Sequence, residues 1–341
     1  MVRPILLTHW RSPGDIVLMT GAVRDLTRSH PGEFEVHIAS SCPELWQNNP
    51  HITAAWGSCA PRHIPLFPVR YGSFLTEANA GCQHFLTAFH RALGALLGIE
   101  IPVLEPSGDL HLSVEEKKSA RWVNGRYWLF IAGGKNDIQT KIWPLEHAQR
   151  FVDLLSSRGI QVVQTGATAP GHVHPKLTGV QDMVGRSNLR ELMQLILHAD
   201  GVICPVTCAM HMAAALQRPC VVIAGGREPP WWEWYQNPVS CSFGPNCASV
   251  KVAHRFLHTL GRFPCCERGG CWKKDLRPNE TNRSHVCTMP VIKDSETFAP
   301  ACLTEITPES VVDAVMSYYR DGTLESIEGA ISPNGICREL V

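Results

Sequence analysis

Three stretches of this 341-residue chain hold side chains whose types and spacing could do chemistry. The first is Gly14-Asp15, in a turn between an apolar run and a helix-forming segment. A carboxylate at a helix N-terminus is held in its charged form by the helix dipole. Asp15 could cap that helix, or act as a general base that takes a proton from a hydroxyl nucleophile. The second stretch is Gly201–Pro219, GVICPVTCAMHMAAALQRP. A strand-like run, Gly201–Cys204, breaks at Pro205 and continues as a small-residue helix, Cys208–Leu216. Such a turn points several N–H groups and the positive end of a helix at one spot, which suits a pyrophosphate. Thr207 can cap the helix, and His211, one turn in, can reach the same anion. An ordinary βα unit with a satisfied histidine is the plainer reading. The third stretch is cysteine-rich. Cys265, Cys266, Cys271, Cys287 and Cys302 place five of the chain's 14 cysteines within residues 265–302. That segment has little apolar periodicity and much Gly, Pro, Asn and charge, so burial could scarcely hold its shape. Four thiolates around one zinc or iron ion would supply the missing folding energy. The spacing is not that of a CxxC…CxxC ribbon, and inert or redox-active thiols are the other reading.

Two further groups belong to the same chemistry. Lys141 precedes a helix opened by Pro144, where it can meet a phosphate across a crevice or lie on the surface. Arg227 and Glu228 follow Gly225-Gly226, and Glu228 can accept a bond from a ribose hydroxyl or pair with Arg227. The cluster 229–235 sets three tryptophans and Tyr235 beside two prolines. It serves as a stacking surface, a rigid wall or a contact between copies.

The elements that must position these groups alternate. Pro4–Thr8 reads as a buried strand, residues 12–30 as a turn and an amphipathic helix, and Glu35–Ala39 as a second strand, together a right-handed βαβ unit. From residue 40 to 110 the pattern weakens, with helices at Pro43–Trp46 and Thr87–Leu97 and a proline-rich loop at Pro61–Pro68. Polar residues then lead to Gly125, a candidate linker. Beyond it, Trp128–Ala132 is a strand ending in Gly133-Gly134. The helix at Pro144, the strand Ile160–Gln164, the helix Asn188–Leu197 and the strand Cys220–Ala224 follow. Thr307-Pro308 opens a last helix through Tyr319, and the residues from Asp321 look frayed. Alternation without hairpin signals predicts two parallel α/β layers. Neither carries GxGxxG or GxxxxGK[ST]. The 44 % apolar content is globular, and zero net charge argues against nucleic acid or anionic membrane as a partner. No run of 18 apolar residues predicts a spanning helix. The short run Ile5–Leu7 predicts no secretory signal, so a cytoplasmic protein with reduced thiols is expected.

The local motifs carry a resemblance. SPGDIVLMTGAVRDL resembles the opening of the family 9 glycosyltransferases, the heptosyltransferases, and implies that Asp15 is the catalytic base. KIWPLEHAQRFVDLL is similar to that family's K-x-W-P segment and implies that Lys141 contacts the donor phosphates. ADGVICPVTCAMHMAAAL is similar to its nucleotide-diphosphate segment and implies that Thr207, Cys208, Ala209, Met210 and His211 cradle the diphosphate. Gly133, Gly134 and Glu228 join the expected donor contacts. The resemblance spans about residues 3–60 and 127–227 in correct order. It implies a GT-B fold: two Rossmann-like domains facing a crevice, with a cysteine-rich C-terminal segment. The expected bounds are an acceptor domain, 1–122, a nucleotide-sugar domain, 123–262, a metal-binding segment, 263–304, and a C-terminal helix and tail, 305–341, the helix returning to the first domain.

The implied activity is inverting transfer of a sugar, heptose as the best guess, from an ADP-type donor to a hydroxyl of a glycan, protein or small molecule. The cysteine segment is similar to the four-cysteine iron site of the bacterial autotransporter heptosyltransferases, which implies structural iron or zinc and no metal in the chemistry. A homo-oligomer is compatible with the resemblance. One departure stands out: the family's Asp-Thr-Gly is Val206-Thr207-Cys208 here. Glu228 is the candidate replacement for the missing acid, and a non-catalytic nucleotide-sugar-binding protein is the alternative.

Overall fold

The computed structural model describes residues 2–74, 77, 81–118, 122–237, 243–277, 283–292 and 298–325. The tail expected to fray therefore lies, from residue 326 onward, outside the described residues.

Two parallel sheets organise the chain. The first contains β1 (Arg3–His9), β2 (Phe34–Ser40), β3 (Ala54–Trp56) and β4 (Leu66–Pro68) in the order β3-β2-β1-β4. Its central strand ends in five consecutive buried residues, as a strand covered on both faces must. Strand β4 corrects the expectation of a loop at 61–68. Pro68 supplies no donor, but β4 is the edge of the sheet, where a missing donor leaves no partner unpaired. The second sheet contains β5 (Tyr127–Phe130), β6 (Gln161–Gln164), β7 (Gln181–Asp182), β8 (Gly201–Pro205), β9 (Cys220–Gly225) and β10 (Arg255–His258), in the order β10-β9-β8-β5-β6-β7.

Helix α1 (Pro13–Ser29) joins the halves. Ser12 and Asp15 form a reciprocal capping box at its start, and Pro13 supplies a preset φ. Every residue from Gly14 to Leu26 is buried, so this helix is covered all round. It packs against α2 (Phe85–Leu97) on its own side. On the other side it meets α5 (Cys208–Ala215), which follows α3 (Leu145–Ser156) and α4 (Leu189–His198). A short helix, α6 (Pro230–Glu233), comes next, and the last is α7 (Pro308–Arg320). Helix α7 packs on α3 and β9 of the second half rather than returning to the first. Its apolar face explains this: Val311, Val315, Tyr318 and Tyr319 are buried with Trp128 and Phe151, and Trp128 donates to the Tyr319 hydroxyl at 2.7 Å. Among the described residues no helix is long and apolar enough to cross a membrane.

One polar knot is buried beneath α1. Asp25, fully buried, accepts from Arg24 Nε at 2.8 Å and the Leu104 amide at 3.0 Å, and lies 2.9 Å from His90 Nε2 on α2. Burial raises the Asp25 carboxyl, but His90 and Arg24 outweigh it and hold the group below its usual range. Arg24 also donates to the carbonyls of Glu105 and Ser107, each at 3.0 Å, tying the segment before β5 to the helix. Asp25→Ala would leave the Arg24 charge buried without its partner. It should lower stability by roughly 3–5 kcal/mol, read as an earlier midpoint in urea unfolding.

Candidate functional site

The N-terminus of α1 and the N-terminus of α5 open into one cleft of about 650 Å³. Its walls come from both halves. Ser12, Gly14, Asp15 and Phe85 line one side, and Gly133, Gly134, Lys141, Thr207, Cys208, Ala209, His211 and Glu233 the other. The two first turns nearly touch: a Cβ on Gly14 would stand 3.4 Å from the His211 ring and 3.5 Å from the Cys208 Cα. Asp15 and His211 thus share a single gap.

Asp15 is 8 % exposed and has both carboxylate oxygens engaged. Oδ2 accepts from the Ser12 amide at 3.0 Å and from the Ser12 hydroxyl, while Oδ1 accepts from the Tyr71 hydroxyl at 2.7 Å. Burial, and then the Asp15 charge, push the Tyr71 phenol far above its usual range, so it stays a donor. Tyr71 also lines a larger cavity, of about 1460 Å³, at the carboxyl end of β1. Arg11, Arg62 and Arg70 line that cavity with the half-exposed Trp10, and no carboxylate does so among the described residues.

On the opposite wall Thr207 holds the N-cap position of α5 but makes no side-chain cap bond, which leaves its hydroxyl to the cleft. Lys141 Nζ donates to the Val206 carbonyl at 3.2 Å and lies 2.7 Å from Glu228 Oε1. Burial and the Arg227 guanidinium pull the Lys141 ammonium down to about 7, while the Glu233, Asp137 and Asp15 carboxylates oppose that shift. His211 Nδ1 bonds the Tyr235 hydroxyl at 2.6 Å, and Nε2 lies 3.0 Å from Glu233 Oε2. The Cδ2 edge of the imidazole faces the start of α1.

Two expectations need correction, and for the tryptophan cluster one of the open readings fits. Glu228 does not line the cleft; it is buried, paired with Arg227 and Lys141. Met210 is fully buried in the core because it sits on the inner side of α5, and its amide bonds the Thr207 carbonyl. The tryptophan cluster is a wall: Trp232, buried, stacks on Phe85 of the first half at 4.9 Å and packs edge-on against Trp272 at 5.9 Å. Sequence reasoning missed Tyr71 and Glu233. Tyr71 lies where the periodicity fades, and Glu233 is a lone acid among aromatic residues.

The five cysteines of the C-terminal segment line one small cavity. Cys266 is turned to the Thr259 carbonyl, 3.6 Å from its sulfur. The amides of Lys273, Met289 and Gly226 donate to the sulfurs of Cys271, Cys287 and Cys302. Amides aimed at sulfur in this way suit thiolates. Burial pushes the Cys302 thiol up to about 12 in the absence of a cation. Among the described residues, no three His, Cys, Asp or Glu side chains stand close enough together to hold a metal ion. Binding one would require the four remaining sulfurs to draw in around it.

The profile of glycosyltransferase family 9 (heptosyltransferase) matches residues 76–254, just over half of the chain. Lipooligosaccharide heptosyltransferase 2 of Haemophilus influenzae is 24 % identical over 151 residues, 39 % of this chain. The match spans 42 % of that relative's length. A family 9 glycosyltransferase of Veillonella parvula has a similar fold, with a TM-score of 0.60 at 13 % identity over 94 % of this chain and 97 % of that one. So does the ADP-heptose LPS heptosyltransferase II of E. coli, at 0.54 and 14 % over 95 % and 100 %. The iron-containing dodecameric glycosyltransferase TibC of enterotoxigenic E. coli gives 0.60 and 18 % over 94 % and 77 %. At these identities the likeness is one of fold, the GT-B arrangement of two sheets about a crevice.

The lysine supplies a test of the cleft's charge. Lys141 is cationic below about 7 and neutral above it. Pyrophosphate binding, measured by calorimetry, should therefore weaken relative to Lys141→Arg as pH rises from about 6 to about 8.5, a comparison that cancels the ligand's own ionisation. In Lys141→Arg the charge persists over that range.

Proposed function

The chain belongs to glycosyltransferase family 9, and from that premise we propose that it transfers a sugar from a nucleotide-diphosphate donor, ADP-heptose, to an acceptor hydroxyl with inversion at the anomeric carbon. The observation that carries this reading is the meeting of Asp15 with the first turn of α5 across one cleft. The donor diphosphate would lie against the amides of Cys208 and Ala209, the Thr207 hydroxyl and Lys141, with Gly133 and Gly134 leaving room for it. Asp15 would accept the proton of the acceptor hydroxyl as that oxygen bonds to the anomeric carbon. The bond to the diphosphate breaks on the opposite face, and the electron pair leaves with the phosphate oxygen. Positive helix ends and the lysine stabilise that departing charge without a metal. Tyr71 and Ser12 hold the Asp15 carboxylate in place, which serves orientation.

Residues 1–122 would hold the acceptor and residues 123–262 the donor. The arginine-lined cavity next to Tyr71 supports an acceptor that carries negative charge. Free thiols and a nucleotide-sugar donor support a cytoplasmic location. The reading is tested by Asp15→Asn. Turnover of ADP-heptose should fall roughly 10²–10⁴-fold, while ADP still raises the melting temperature by mass action. Failure of ADP and ADP-heptose to bind the wild-type chain would overturn it.

We propose further that Cys265, Cys271, Cys287 and Cys302 hold a structural iron or zinc ion, a reading supported by their shared cavity and the amides aimed at three of them. Metal analysis of the purified chain should find one such ion per molecule. Cys271→Ser should lose it and melt several degrees lower, whereas Cys266→Ser should retain it.

A further inference from the structure

Four carboxylates line the donor cleft: Asp15, Glu44, Asp137 and Glu233. Only Asp15 and Glu233 among them are buried. Asp15 has both oxygens bonded. Glu233 does not. It is 6 % exposed, and its Oε2 has no hydrogen-bond partner, because His211 Nε2, although 3.0 Å away, stands outside hydrogen-bond geometry. An oxygen of that kind is costly to keep, because no hydrogen bond repays its removal from water.

The surroundings fix this oxygen rather than letting it relax. Trp232, the preceding residue, is clamped between Phe85 and Trp272. Tyr235, two residues on, is fully buried and holds His211 by its hydroxyl. The Glu233 charge is felt by Lys141 on the phosphate side and by Tyr71 on the Asp15 side. The carboxylate lines the same cleft as Asp15 and Lys141, beside His211 of the first turn of α5, so a group attached to the diphosphate and attacked beside Asp15 comes within its reach. A ligand that donates hydrogen bonds would relieve it, and a polyhydroxylated sugar donates several. Bonds from hydroxyls to an ionised carboxylate are among the stronger ones.

We propose that Glu233 accepts hydrogen bonds from hydroxyls of the transferred sugar and so selects the donor by its sugar rather than by its nucleotide. The assignment rests on the donor reading given above and deepens it. The experiment is calorimetric titration of the full chain, wild type and Glu233→Gln, with ADP and with ADP-heptose. ADP lacks the sugar, so its affinity should change by less than about threefold. The affinity for ADP-heptose should fall by about tenfold to a hundredfold. Glu233→Asp, which keeps the charge but withdraws it by one methylene, should show the same selective loss in smaller degree. It provides the readout if the glutamine variant does not fold. An equal loss for both ligands would overturn the assignment and leave Glu233 as a support for His211, and no loss for either ligand would overturn it too. If the wild type binds ADP but gains nothing from the sugar, the assignment fails while the diphosphate site stands. If it binds neither ligand, the donor reading itself has failed.

Discussion

Two helix N-termini face each other across a few ångströms, and much of the structure follows from that. The first turns of α1 and α5 come from different halves of the chain, yet a Cβ added to Gly14 would come within van der Waals range of Cys208 and His211. Each terminus carries unsatisfied amides and a partial positive charge. Placed together they repel, unless negative charge lies between them. At α1 the chain supplies that charge itself, since Asp15 closes a capping box with Ser12. Helix α5 itself supplies none: Thr207 makes no cap bond, its first turn contains no acid, and position 206 is valine. An anion is what the second terminus lacks, and a diphosphate fits the description.

The cysteine segment bears on the same gap through a short chain of contacts. The Lys273 carbonyl accepts from Arg227 Nε and from the Thr140 hydroxyl, each at 2.7 Å, and the Thr140 amide bonds the Lys274 carbonyl. Arg227 in turn pairs with Glu228, which pairs with Lys141, the residue after Thr140. Residues 271–274 therefore set the backbone beside Lys141 and, two contacts away, its side chain. This explains how an apolar-poor segment can matter to a cleft that none of its cysteines lines. It also favours thiols that hold a shape over thiols that cycle, because any change in their geometry would be passed to the lysine.

How much of this was legible in the sequence depended on range. The capped start of α1, the buried strands and the turn before α5 are local, and local rules read them. Pro68 misled because a residue's place at a sheet edge depends on partners 60 residues away. The last helix was sent to the wrong half for a similar reason: its amphipathic face was plain, but not that Trp128 and Phe151 would cover it. The acid in the cleft shows the same limit most sharply. Glu228 and Glu233 are five residues apart and equally acidic in the sequence. The path of the chain after β9 turns one toward Arg227 and the other into the cleft. Tyr71 reaches Asp15 across 56 positions, and nothing in its neighbours announces that.

The two buried carboxylates also bear on whether this cleft merely binds. A protein built only to hold a nucleotide diphosphate would gain by lining its pocket with cations. It would lose by adding acids, which repel phosphate and must be stripped of water. This cleft buries two of them. Asp15 is held by three donors from Ser12 and Tyr71, an arrangement that fixes its direction more than it shields its charge. Glu233 keeps an oxygen without a partner. Both features oppose phosphate affinity, and both suit a ligand whose other end offers hydroxyl groups, one set to be recognised and one to be deprotonated. Two buried acids fit the proposed sugar-transferring cleft better than a diphosphate sensor.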